Sequence, residues 1–118
     1  MHEYSIVQAL LDQCEREAKK AGAGKVVNIV VKVGRLSGTE PKALKSAFDF
    51  FSEQSFCKGA TLTLIRQNIV CECKECGETS ELDEADFRCP KCNGGHITII
   101  DGEELILTSI EMEQSAAN

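Results

Sequence analysis

The sequence has few aromatic residues, few prolines and no long hydrophobic run. Its 118 residues include five Phe, one Tyr, no Trp and two Pro, so the core must rest on Val, Ile and Leu. No apolar stretch approaches the roughly 20 residues of a membrane-spanning helix. The amino terminus carries acidic residues where a secretory signal would be basic. We therefore expect a soluble, cytoplasmic protein with no membrane partner.

Positive charge is also scarce. Against 19 acidic side chains there are 13 basic ones, and the net charge is −6. A generally basic surface that neutralises phosphates is thereby excluded, and we expect no nucleic-acid partner. The charge is uneven along the chain: net +3 over 1–70, −4 over 71–96 and −5 over 97–118. These shifts indicate a mixed-charge first part, an acidic insert and an acidic tail.

The first part predicts alternating helix and strand. Apolar residues spaced by three and four place one face of a first helix inward: Val7, Leu11, Cys14, Ala18 and Ala21. The β-branched run from Val26 to Val33 predicts a buried strand. Thr39 is the expected cap of a second helix, with Pro41 near its start. That helix is expected to bury Leu44, Ala47, Phe48 and Phe51.

Two later segments complete the predicted fold. Residues 61–70 form the second expected strand, and 97–100 with 105–110 suggest a hairpin around Asp101-Gly102. Because the acidic insert is too small to supply a sheet, we expect 105–110 to return beside the 61–70 strand. The predicted class is α+β: a small three-stranded sheet with two helices, plus an inserted zinc-ribbon-like unit with four cysteine ligands. The predicted domains are 1–70, completed by 97–113, and the zinc-binding insert 71–96.

Two Cys-x-x-Cys pairs are the strongest functional signal. The pairs Cys73–Cys76 and Cys89–Cys92 are separated by 12 residues. Each short turn directs two thiolates to one ion, and a hairpin between the pairs closes a tetrahedron with Zn–S distances of about 2.3 Å. Four thiolates leave no open coordination position, so we predict structural zinc. The insert has few apolar residues of its own, and zinc binding would supply its folding free energy.

Other interpretations of the cysteine-rich insert stay open from spacing alone. Iron in a rubredoxin-like centre is held by similar Cys-x-x-Cys turns, which we call knuckles, and such a centre would suit an electron carrier. A nucleic-acid-binding zinc ribbon also uses them, although the acidic charge would repel phosphates. We interpret Cys71 as a non-ligand, because neighbouring strand residues point to opposite faces, and His96 as a surface residue. Cys14 is expected to be a buried free thiol, and Cys57 has no obvious partner.

The segment Met1-His2-Glu3 offers ligands of a second kind. An α-amine has a pKa of about 7.7–8.0, so it is available to a metal near neutrality. Deprotonated backbone amides close five-membered chelate rings, and a nearby imidazole completes a planar set of nitrogens. Tetragonal nitrogen coordination selects Ni(II) or Cu(II) over Zn(II). A surface histidine is the alternative, and this short pattern alone does not decide between them.

Taken together, these motifs resemble the HypA/HybF family of hydrogenase nickel-incorporation proteins. The resemblance rests on the start Met-His-Glu-Tyr-Ser, on Val-x-Val-Gly-Arg-Leu-Ser at 31–37, on Glu40 and on the two cysteine pairs. It extends from Met1 to about Met112. The amino-terminal motif combined with the knuckles at this length is far more specific than the knuckles alone.

The resemblance implies nickel delivery for [NiFe]-hydrogenase maturation by a metallochaperone that is not an enzyme. It implies a nickel site at His2, with the backbone nitrogens of Met1 and Glu3 as further ligands, and a zinc site at Cys73, Cys76, Cys89 and Cys92. The implied partners are the GTPase HypB and the hydrogenase large-subunit precursor, with urease maturation proteins in some bacteria. The alternative function is a zinc-stabilised protein-interaction module without a nickel role.

Overall fold

The computed structural model describes residues 2–82 and 86–114, and of His2 the backbone alone. Two helices and six strands follow in chain order: α1 His2–Lys20, β1 Ala23–Gly34, α2 Pro41–Ser52, β2 Thr61–Gln67, β3 Ile69–Cys73, β4 Thr79–Leu82, β5 Ile97–Asp101 and β6 Leu105–Gln114. The strands form two three-stranded sheets, ordered β2-β1-β6 and β4-β3-β5. The α+β class with two helices is confirmed. No helix in the part that the structure describes is long and apolar enough to cross a membrane.

The helices bury most of the residues that their apolar spacing predicts, but Phe51 is only half-buried. The fully or almost fully buried residues of α1 are Val7, Leu10, Leu11, Cys14 and Ala18, and those of α2 include Leu44, Ala47 and Phe48. Ala21 was expected on the inner face but is exposed, because α1 ends one residue earlier. The next residue, Gly22, takes φ +70, a left-handed conformation that favours glycine after a helix.

The start of α2 differs from the prediction in one residue. Glu40, rather than Thr39, is the N-cap, and its Oε1 accepts the Lys42 N–H at 3.1 Å. Thr39 is instead buried, and its N–H donates to Ser37 Oγ at 3.2 Å. Pro41 occupies the first turn, where a missing N–H costs nothing. Glu40 is thus a helix-start residue.

Three strand predictions were wrong. The expected strand 61–70 is divided at Asn68 into β2 and β3, which belong to different sheets. The expected hairpin around Asp101-Gly102 does not form, since β5 pairs with β3 while β6 joins the first sheet. There β6 lies beside β1 rather than beside the 61–67 strand. The predicted insert 71–96 contributes β4 and part of β3 to the second sheet, in which β3 pairs antiparallel with both β4 and β5, and β5 lies outside the insert.

The described residues divide into two compact units. One comprises 2–31, 40–64 and 107–114, and the other comprises 32–39, 65–82 and 86–106. The second unit is larger than the predicted insert 71–96 because strand pairing brings the residues on either side of the cysteines into it. The functional boundaries at 70/71 and 96/97 stay a prediction.

Within the second unit, the backbone segments around Gly34, Asn68 and Gly102 approach one another closely. Gly34 N donates to Glu104 O at 3.0 Å, and Leu36 N donates to Gly102 O at 2.8 Å. A Cβ on Gly34 would overlap the Gly102 carbonyl and lie 2.9 Å from Glu104 O. A Cβ on Gly102, which has φ +98, would lie 2.7 Å from Asn68 O. The three segments therefore meet at a junction that has no room for side chains at these two positions.

Replacing Gly34 with Ala should destabilise this junction. The added methyl meets backbone atoms that cannot rotate away, so we expect a loss of about 2–3 kcal/mol in the free energy of unfolding. Urea denaturation of the zinc-loaded protein measures it. Gly95→Ala is the matched control, because no atom lies within 4 Å of its Cβ position and the change should stay within about 0.5 kcal/mol. Equal stability of the two variants would contradict the close packing.

Candidate metal centre

The four cysteines of the two Cys-x-x-Cys pairs come together at one point. Their sulfur atoms all lie within 4.8 Å of one another. Cys73 Sγ is 3.6 Å from Cys92 Sγ, and Cys76 Sγ is 3.7 Å from Cys89 Sγ. A tetrahedral ion with Zn–S bonds of about 2.3 Å spaces its ligands about 3.8 Å apart. The cluster therefore has the size and donor set of one four-thiolate zinc site.

The first cysteine of each pair is buried and held by backbone donors. Cys73 Sγ accepts the Glu75 N–H at 3.4 Å, and Cys89 Sγ accepts the Lys91 N–H at 3.4 Å. The second cysteines, Cys76 and Cys92, are exposed. The two knuckles thus repeat one local geometry, in which the chain turns around the first sulfur and brings the second beside it.

Glycine or a left-handed residue closes each knuckle. Gly77, at φ +77, donates its N–H to Cys73 O at 3.0 Å, and Asn93, at φ +64, donates to Cys89 O at 2.7 Å. Most residues adopt such φ values only at a cost, whereas Gly and Asn tolerate them. These tight turns are the local reason why the two-residue spacing places both sulfurs on one side.

Backbone N–H groups also favour the metal-binding form of the buried sulfurs. The N–H of Cys76 lowers the pKa of Cys73, against the effect of burial. The N–H of Cys92 lowers the pKa of Cys89 to about 7 in the same way. The thiolate, rather than the thiol, is the metal ligand. The folded backbone therefore favours the thiolate form of two of the four ligands.

Strand ends hold the knuckles together. Cys73 is the last residue of β3 and pairs with Ile97 of β5, and its N–H donates to Glu78 O at 2.9 Å. Lys74 N donates to His96 O at 2.8 Å. Below them lies a small core in which Ile97 and Ile99 pack against Ile69, Cys71 and Leu82. In the part of the chain that the structure describes, this small core comprises five apolar side chains.

Cys71 and His96 are outside the sulfur cluster within the described residues. Cys71 is completely buried in the small core, and burial raises its pKa. His96 is exposed, and its backbone N–H donates to Glu75 Oε2 at 3.4 Å. Sequence reasoning missed Glu75, whose carboxylate connects the first knuckle to the segment after the second. Its position inside a Cys-x-x-Cys turn was the available signal.

The predicted nickel ligands lie at the other end of the chain. Met1 and the His2 side chain fall outside the described residues. Glu3 is half-buried in the first turn of α1. With Tyr4 and Phe50 it lines a cleft of about 350 Å³ between the start of α1 and α2. Phe50 is 73% exposed, so this cleft is an apolar surface next to the amino terminus.

Known proteins similar to this chain share both its sequence and its fold. Residues 1–112 match the family model described as hydrogenase/urease nickel incorporation, metallochaperone, HypA. The hydrogenase maturation factor HypA of Shewanella oneidensis is 45% identical over 115 residues, which cover 98% of each chain. That of Aquifex aeolicus is 39% identical and covers 96% of this chain and 98% of its own.

A solved structure extends the similarity to three dimensions. It is the solution structure of the nickel metallochaperone HypA from Helicobacter pylori, which superposes with a TM-score of 0.70 at 36% identity. The superposition covers 96% of this chain and 98% of that one.

Removing one sulfur should empty the four-thiolate site. We expect Cys89→Ser to weaken zinc binding more than about 100-fold, beyond the usual effect of losing a supporting hydrogen bond to a ligand. Elemental analysis after dialysis against a chelator measures the retained zinc. Cys71→Ala is the control, because it removes a buried sulfur that is not in the cluster, and it should retain one zinc per chain. Full zinc retention by Cys89→Ser would refute the assignment.

Proposed function

Because the chain belongs to the HypA family of nickel-incorporation metallochaperones, we propose that it binds Ni(II) at its amino terminus and delivers it during [NiFe]-hydrogenase maturation. The observation that carries the proposal is the extent of the family match. It runs from residue 1 to residue 112 and so includes both the Met-His-Glu start and the four clustered cysteines.

The position of α1 supports a chelate at the amino terminus. The helix begins at His2, and the first N–H groups of any helix have no acceptor within the helix. Amide nitrogens of this turn can therefore lose a proton to a metal without breaking a helical hydrogen bond. The positive end of a helix dipole favours negative charge, which stabilises deprotonated amides. With Ni(II), two amidates, the α-amine and a neutral imidazole form an uncharged complex, so the dipole does not repel it.

In this proposal, His2 supplies the imidazole and one amide nitrogen, Glu3 supplies the second amide nitrogen, and Met1 supplies the α-amine. Binding of Ni(II) then requires one side chain, the imidazole, together with backbone nitrogens at the start of the chain. A carrier must bind Ni(II) selectively and still release it. A chelate with few side-chain ligands meets both needs, because an acceptor can replace its ligands one at a time.

In this proposal, nickel is carried and released, whereas zinc stays bound and has a structural role. Cys73, Cys76, Cys89 and Cys92 hold it permanently, and four thiolates leave no coordination position for a substrate or water. The ion thus maintains a protein surface rather than performing catalysis. The chain accordingly acts as a carrier, not as an enzyme.

Delivery requires proteins that supply and receive the metal. We propose the GTPase HypB and the hydrogenase large-subunit precursor as these partners, acting in the cytoplasm. The family description names urease beside hydrogenase, so urease maturation proteins are a second set of acceptors in this proposal. Co-purification of each candidate with the nickel-loaded chain tests them one by one.

Replacing His2 with Ala should remove nickel binding and leave zinc in place. Loss of the imidazole breaks the planar set of nitrogens, and we expect the affinity for Ni(II) to fall at least about tenfold, equivalent to about 1.4 kcal/mol. Calorimetric titration of the zinc-loaded protein with Ni(II) measures both affinity and stoichiometry.

The second histidine of the chain provides the matched control. His96→Ala removes the only other imidazole and should bind Ni(II) like the wild type. Acetylation of the α-amine should weaken binding as His2→Ala does. Unchanged nickel affinity in His2→Ala would leave the zinc-stabilised interaction module as the better description.

Nickel affinity should also fall as the pH is lowered. Each nitrogen must be unprotonated to bind, and the unperturbed pKa values are about 6.5 for imidazole and about 7.7–8.0 for the α-amine. Titrations at several pH values between about 6 and 8 should show progressively weaker binding toward the acidic end. Affinity independent of pH over this range would argue against an amine and imidazole chelate.

A further inference from the structure

The residue that follows the second cysteine pair has an unusual backbone conformation. Asn93 has φ +64 and is the only non-glycine residue with a positive φ in the part of the chain that the structure describes. The residue that follows the first pair is Gly77, at φ +77. Asparagine is one of the few residues besides glycine that adopt this left-handed conformation. The turn therefore favours Gly or Asn at this position, and in the second knuckle the residue is Asn.

Close packing surrounds the next residue, Gly94. A Cβ at this position would overlap the Glu75 carboxylate and lie 3.2 Å from Cys92 Sγ. A side chain here would therefore displace Glu75 from its place beside the second knuckle. Backbone conformation at Asn93 and close packing at Gly94 together favour the dipeptide Asn-Gly, which occurs once in the sequence.

An Asn-Gly dipeptide is chemically reactive, because glycine has no Cβ to obstruct attack of its backbone nitrogen on the asparagine side chain. Asn93 is also exposed, so water reaches it. We propose that Asn93 is a site of spontaneous deamidation, with water as the co-reactant, and that zinc bound by the neighbouring cysteines suppresses the reaction.

The reaction has two steps and needs neither an oxidant nor a reductant. In the first step, the Gly94 nitrogen loses its proton and bonds to Asn93 Cγ, the bond from Cγ to Nδ2 breaks, and ammonia leaves with the released proton. The product is a cyclic succinimide. In the second step, water adds to either succinimide carbonyl and opens the ring, which gives aspartate or isoaspartate at position 93. One amide and one water thus become one carboxylic acid and one ammonia.

Two hydrogen bonds to Cys89 restrain the backbone that must move in the first step. The Asn93 N–H donates to Cys89 O at 2.7 Å, and the Gly94 carbonyl accepts the Cys89 N–H at 2.9 Å. Ring closure requires rotation about the bond between Asn93 Cα and its carbonyl carbon, which these two bonds resist. Because Cys89 and Cys92 both belong to the sulfur cluster, zinc binding holds the turn closed. Loss of zinc lets the turn open locally, and deamidation should then accelerate.

Deamidation should in turn impair the zinc site. In isoaspartate the chain runs through Cβ and Cγ, which adds one atom to the backbone between the position 93 N–H and the Gly94 carbonyl. These groups form the two hydrogen bonds to Cys89, and the longer backbone cannot keep both. Loss of such supporting bonds weakens metal binding. A chain that stays without zinc is therefore altered irreversibly and binds zinc less well afterwards. The proposal does not involve nickel, and its outcome is independent of the function proposed above.

The test compares the full chain with zinc and after chelator treatment, incubated side by side at mildly alkaline pH with a reductant. Trypsin releases Asn93 in peptide 92–118 and places Asn28 and Asn68, each followed by Ile, in other peptides. Fragmentation mass spectrometry measures the deamidated fraction at each position over time. We expect deamidation at Asn93 at least about tenfold faster without zinc than with it, and none at the two internal controls.

Asn93→Gly is the matched variant, because Gly77 shows that glycine adopts this conformation in the first knuckle. It should retain one zinc per chain and keep its zinc affinity after a long zinc-free incubation. The deamidated wild type, by contrast, should bind added zinc at least about tenfold more weakly. Equal rates of deamidation with and without zinc would overturn the proposal, and so would an unchanged Asn93 in zinc-free protein.

Discussion

Four sulfur atoms within 4.8 Å of one another are stable together as thiolates only around a cation. Like charges at such distances repel strongly in a partly buried site, and protonating all four would remove their value as ligands. A divalent metal replaces that repulsion with four attractive bonds. This exchange stabilises the second compact unit, in which the apolar cluster beside the metal centre is small: Cys71 and the four described side chains packed with it. The metal therefore adds to a small hydrophobic core in holding this unit together.

The first unit is built on different physics. Its helices bury a conventional apolar face, and β1 contributes the buried residues Val26, Ile29 and Val31. Such a core needs no metal. In the proposed function, nickel at the start of α1 is exchanged without unfolding the helix that presents it. This difference suits a protein that keeps one metal for its structure and transfers another.

The sulfur chemistry follows the same division. In the second unit, backbone N–H groups lower the pKa values of Cys73 and Cys89, which prepares them for a metal. In the first unit, Cys14 and Cys57 are completely buried and belong to no such cluster among the described residues. A buried free thiol behaves as a small apolar side chain, whereas four converging thiolates are suited to zinc. One residue type thus has two chemical roles, which the number and arrangement of its neighbours determine.

The features that depend on residues close together along the chain could be predicted from the sequence. The apolar spacing in α1 and α2 identified the buried faces, and the Cys-x-x-Cys spacing identified which four sulfurs converge, since a turn of four residues places its own ligands. Strand partners were a different matter: β6 pairs with β1, and Asn68 and Gly102 mark where the chain changes sheet. The complete burial of Cys57 was also decided by tertiary structure alone. Local patterns carry no information about it, because the free energy of such contacts depends on which distant segments pack against each other.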